Sequence, residues 1–137
     1  MFGSLRNNTN LAPDAKAALF FTPLGRDLEL IDRLGRAREI EAGHVIMTEG
    51  TPGDEAFIVI NGTAIVSRGD EVIATVGRGD LVGEASLFTG EPRNATLVAT
   101  SPLSLVAIDK REFRWLCFES RVVGNVARSL LAERAAR

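Results

Sequence analysis

One cysteine, one histidine, one tryptophan and no tyrosine occur in 137 residues. Each scarcity removes a class of chemistry. A solitary Cys117 cannot form an internal disulfide, and with His44 as the lone imidazole no Cys/His metal cluster can assemble. That excludes metal-dependent jelly rolls, which need several histidines. Neither a Ser/His/Asp set nor a Cys/His set is present, so an enzyme is not expected and no catalytic residue is assigned. No run of 18 apolar residues occurs, and Ala17–Phe21 is too short for the apolar region of a signal peptide. The expectation is a cytoplasmic protein with no membrane partner. The formal net charge is −2, with 16 Lys and Arg against 18 Asp and Glu. Nothing in that balance suggests nucleic acid as a partner.

What the chain does contain is ordinary for a folded domain: 45% hydrophobic and 25% charged residues. Its length allows one core without staples. Residues 1–22 read as a polar arm with a short helix from Asp14 to about Phe21, ending before Pro23; Phe20 and Phe21 are expected to dock on the domain. From Leu24 to Ala37, Leu24, Leu28, Ile31 and Leu34 recur at helical spacing. Strand signals follow at Arg38–Glu41, Val45–Thr48, Ala56–Asn61, Thr63–Arg68, Val72–Val76, Ala95–Ala99 and Leu103–Asp109. Turn sequences separate them, Asn61-Gly62 being a strong hairpin signal because both residues tolerate positive φ. After Asp109 the period lengthens to 3.6. Lys110–Phe118 and Arg121–Ala135 read as two helices, the second capped by Ser120. Cys117 falls on the apolar face of the first. Gly124 weakens the second, which suits a hinge or close helix packing.

Residues 81–96 carry the functional signal. Val82 ends a strand, Gly83 permits a tight turn, and Glu84–Phe88 can form one helical turn whose free N–H groups attract an anion. Arg93 then opens the next strand, and a guanidinium there suits a phosphate. Glu84, acceptor-only when ionised, suits sugar hydroxyls. Gly-Glu-Ala-Ser-Leu-Phe, three residues, then Pro-Arg-Asn-Ala-Thr resembles the phosphate-binding cassette of cyclic nucleotide-binding domains. Upstream, Gly43-His44-Val45-Ile46, Glu49-Gly50, Gly53-Asp54 and Phe57 to Gly62 are similar to that family's first hairpins. The resemblance spans roughly residues 24–135.

The resemblance implies a mainly β fold, a β-roll of the jelly-roll kind with an N-terminal helix, a short cassette helix and two C-terminal helices, filling residues 23–137. It implies a cyclic nucleotide as ligand, cAMP or cGMP with cAMP favoured, with Gly83, Glu84, Ala85, Ser86, Arg93, Asn94 and Ala95 as binding residues and no metal. Val82 and Asn94 depart from the family's usual Phe and small or hydroxyl residue. The implied role is a stand-alone sensor without a DNA-binding module, signalling through its C-terminal helices to a partner protein. The alternative is a β-roll interaction module that has lost its ligand. The apolar stripe Val122, Val123, Val126, Ala127, Leu130 and Leu131 suits either a homodimer or packing on the roll. Leu130, Leu131 and Arg134 are candidates to cover the base.

Overall fold

The structure, a computed structural model, describes residues 11–20 and 22–135, with side chains as far as Glu133. Most of the arm, residues 1–10, and Phe21 lie outside the described residues. Helix α1 (Pro13–Phe20) leads through a 3-10 turn (Pro23–Asp27) into α2 (Leu28–Leu34). Eight strands follow: β1 (Arg36–Ile40), β2 (Val45–Met47), β3 (Glu55–Asn61), β4 (Ala64–Arg68), β5 (Glu71–Val76), β6 (Leu81–Val82), β7 (Thr96–Ala99) and β8 (Leu103–Asp109). The short helix α3 (Ala85–Thr89) separates β6 from β7, and α4 (Lys110–Glu119) and α5 (Arg121–Ala135) complete the order.

The strands form two four-stranded antiparallel sheets, ordered β1-β8-β3-β6 and β2-β7-β4-β5. This is the expected β-roll with flanking helices. The uninterrupted apolar run Phe57-Ile58-Val59-Ile60 explains the central position of β3, because it needs cover on both faces. Phe57 and Val59 look into the roll, while Ala56, Ile58 and Ile60 face the helices. At the tip of the β3–β4 hairpin Gly62 has φ +94, and a Cβ there would lie 2.3 Å from the carbonyl oxygen of Pro102. Glycine is required at this turn for both reasons.

Two local expectations change, and one alternative left open in the sequence is narrowed. The predicted helix Leu24–Ala37 divides into the 3-10 turn and α2, and Ala37 belongs to β1. Gly35 ends α2 in extended conformation, and a Cβ there would meet Val106 at 2.2 Å, so the chain passes too close to β8 for a helix to continue. Phe20 is 60% exposed; Leu11 and Leu19 dock the N-terminal segment instead. The backbone N–H of Leu11 donates to Asp32, whose carboxylate also pairs with Lys16 at 3.2 Å. The stripe on α5 is turned inward at Val123 and Ala127, which are buried in the domain's own core. A Cβ on Gly124 would stand 2.6 Å from the Cys117 carbonyl oxygen, so that glycine serves close packing of α5 on α4. Ser120 fixes the joint between them. Its Oγ accepts from Val123 N at 3.0 Å and donates to Asp27 at 2.6 Å.

Candidate functional site

The cassette is assembled from two turns far apart in sequence. β6 ends at Gly83 with φ +85, which lets the chain swing directly into α3. Gly90, in the left-handed conformation, closes α3 by donating to Ser86 O at 2.9 Å, a standard helix stop. The chain then runs to Arg93, whose backbone is knitted to the β2–β3 loop. Arg93 N donates to Thr51 O and Gly50 N donates to Arg93 O, both at 2.8 Å.

The Arg93 side chain points inward and is 6% exposed. Nη1 donates to Gly83 O and Nη2 to Glu55 O, both at 2.7 Å, and the guanidinium carbon lies 5.6 Å from the Phe57 ring centroid. That distance is within cation–π range. Gly53 completes the seat: a Cβ there would fall 2.6 Å from Arg93 Nε. Burial lowers the guanidinium's pKa, opposed by the negative charges of Asp54, Glu55 and Glu84. An arginine nevertheless remains charged. Glu55 is largely occupied elsewhere, its two carboxylate oxygens taken by Arg38 at 3.0 and 2.6 Å. Arg93 itself forms no ion pair among the described residues. A buried cation held only by backbone carbonyls presents its remaining donors to whatever anion reaches it.

Six of the seven expected site residues line one cleft: Gly83, Ala85, Ser86, Arg93, Asn94 and Ala95. Met47, Val66, Ile73, Ala74 and Val82 supply its apolar wall, and Arg68 its remaining edge. Glu84 does not line it. That side chain is fully buried, and its charge acts on both Arg93 and the Cys117 thiol on α4. The cleft is narrow, with about 20 Å³ open to the centre of a water molecule. That is room for one or two waters. A second, wider cleft of about 580 Å³ shares Ala74 with it and runs between β5 and α5, past Val126 and Leu130. Of the three candidates to cover a base, Leu130 therefore lies on this adjoining cleft, and the side chain of Arg134 lies outside the described residues.

A family profile described as cyclic nucleotide-binding domain matches residues 37–120. The chain belongs to that family. A cyclic nucleotide-gated potassium channel of Mesorhizobium japonicum is 38% identical over 104 residues, covering 76% of this chain and 29% of the channel. The chain thus spans under a third of that relative's length. A solved structure of PKAR CBD2 with Sp-2Cl-cAMPS bound superposes with a TM-score of 0.70 at 27% identity, over 87% of this chain and 85% of that one. The catabolite activator protein of Thermus thermophilus gives 0.73 at 25% identity, over 87% and 58%. These relatives are cyclic nucleotide-binding regulatory proteins and channels. Among the described residues no helix is long and apolar enough to cross a membrane.

Several members of the site were missed in the sequence. Gly53 read only as a turn residue and Phe57 only as part of a strand, while Glu55 fell between that turn and the strand with no role assigned. All three act on Arg93 from about forty positions away. The one available hint was the spacing of Gly50 and Gly53 within the family-like segment.

Proposed function

We propose that the cleft binds a 3′,5′-cyclic nucleotide, and that this domain is a second-messenger sensor. The observation that carries the reading is Arg93, a buried guanidinium that forms no ion pair among the described residues and faces the cleft. In this reading the cyclic phosphate sits against Arg93 and the backbone N–H groups of Ala85, Ser86 and Ala95. Gly83 allows the sugar-phosphate to come close. Glu84 accepts from the ribose 2′-hydroxyl, which requires its side chain to turn toward the cleft. The base extends along the apolar wall toward Ala74 and the second cleft, where Leu130 covers it. We favour cAMP over cGMP, because Asn94 lacks the hydroxyl that, where the family has one at this position, favours guanine. No metal enters this scheme.

A nucleotide is wider than the cleft as it stands, so binding must move its walls. A ligand shifts such an equilibrium only through tighter binding to the open arrangement. Because α5 lines the second cleft through Val126 and Leu130, its position is the natural output, passed to a partner protein or to a second copy of the chain. The domain is read as a soluble cytoplasmic regulator, not an enzyme. Isothermal titration with cAMP and cGMP tests the site. Arg93→Ala is expected to weaken binding by about ten- to a hundredfold, from the loss of charge-assisted hydrogen bonds. Unchanged affinity in that variant would sink the assignment.

The narrowness of the cleft also favours a second reading, a β-roll interaction module that no longer takes nucleotide. Thermal shift separates the two. A nucleotide at a hundred times its dissociation constant adds about 2.7 kcal/mol, whereas the ligand-free module shows no shift with either nucleotide.

A further inference from the structure

We infer that Arg68 is a second cation for the ligand's phosphate, an inference that rests on the cyclic-nucleotide reading above. Arg68 ends β4, and the pairing of Ser67 with Thr96 brings it beside Ala95 at the cassette's edge. Its Nε donates to the carbonyl oxygen of Asn94 at 3.0 Å, the residue next to Arg93. It lines the same cleft as Arg93, and among the described residues it makes no ion pair. The backbone carbonyl therefore aims the guanidinium without neutralising it. Its terminal N–H donors have no acceptor among the described residues. This resembles the arrangement at Arg93, where carbonyls of Gly83 and Glu55 hold the charge in place.

The local charge balance supplies the reason for a second cation. Three carboxylates act on Arg93: Asp54, Glu55 and Glu84. Arg38 answers Glu55 in a two-pronged ion pair, while the charges of Asp54 and Glu84 also act on the Arg93 guanidinium. A cyclic phosphodiester entering the cleft comes close to these carboxylates as well as to Arg93. Arg68 adds positive charge on the cleft's open edge and offers paired N–H donors of the geometry a phosphate accepts. It is only part-buried, so its contribution is smaller than that of Arg93.

The experiment is isothermal titration of the full chain with cAMP and with cGMP, comparing the native protein with Arg68→Gln, Arg68→Lys and Arg93→Ala. Arg68→Gln is expected to weaken both nucleotides by about tenfold and by the same factor. Arg68→Lys should recover part of the loss, and the melting temperature without ligand should not move. A shallower dependence of affinity on salt in Arg68→Gln is the second expected sign. Native-like affinity for both nucleotides in Arg68→Gln overturns the inference and leaves the nucleotide reading intact. Loss confined to one nucleotide makes Arg68 a reader of the base and overturns its phosphate role. Failure of the native protein to bind either nucleotide overturns both.

Discussion

The core between the β1-β8-β3-β6 sheet and the helices and the core inside the roll are built from different side chains. Among the described residues, ten of the fifteen buried members of the helix-side core are Leu or Ile, joined by Phe113. Inside the roll, eight of thirteen are Ala or Val. Large branched residues interdigitate to native density and leave no room. Small ones let two sheets approach while leaving a slot between them, and in that slot the buried guanidinium sits. The helix side also holds Phe113 edge-to-face with Phe88 of α3, at 5.8 Å and 63°. The cassette helix is thus anchored by the helix-side core and opens onto the roll. Stability and ligand contact are divided between the two cores.

Truncations in the two cores test that division. Phe113→Ala should cost about 3–5 kcal/mol, as expected for a fully buried aromatic, measured by urea unfolding. Val66→Ala, on the roll side, should cost about 1.5 kcal/mol, two carbons' worth of burial. Equal costs would erase the contrast. A smaller effect on stability is expected from Gly53→Ala. The new Cβ would fall 2.6 Å from Nε, the movable end of Arg93, so the guanidinium shifts rather than the backbone. Stability should fall by less than about 1 kcal/mol, while nucleotide affinity drops about tenfold. A large stability loss with intact affinity would show that Arg93 braces the fold and does not serve the ligand.

The smallest effect concerns pH. Cys117 packs against the helix-side core, and burial pushes its thiol up to about 11, opposed by Arg128 and reinforced by Glu84. In the unfolded chain a thiol ionises near ~8.5. Between those values the unfolded state has lost a proton that the folded state keeps, so stability is intact below that window and declines as pH rises through it. Melting curves from pH 8 to about 11 should show this decline in the native protein and a weaker one in Cys117→Ala. Identical slopes would remove Cys117 from the account.

Much of the architecture was legible because it depends on local periodicity and turn chemistry. The strand signals of β4 and β5, the Asn61-Gly62 turn, the continuous apolar run of β3 and the change of period after Asp109 all concern neighbours along the chain. Boundaries were less legible. The break at Gly35 comes from Val106 on β8, seventy positions away, and no helical pattern between Leu24 and Ala37 announces it. The outward turn of Phe20 has the same origin, since Leu11 and Leu19 already occupy the core it would have entered.

The binding residues divide along the same line. The spacing from Gly83 to Ala95 determined which residues share a tight loop, since a short segment between two strands can only bring its own members together. It also placed a cation and a carboxylate within one short stretch. Only the tertiary structure decided how they are held. Gly53, the Glu55 carbonyl and Phe57 close around Arg93, Arg38 draws off the Glu55 carboxylate, Glu84 lies outside the cleft and Arg68 enters it from β4. Backbone carbonyls carry no residue identity, and contacts between sheets arise from how the roll closes. A linear pattern therefore holds no record of either.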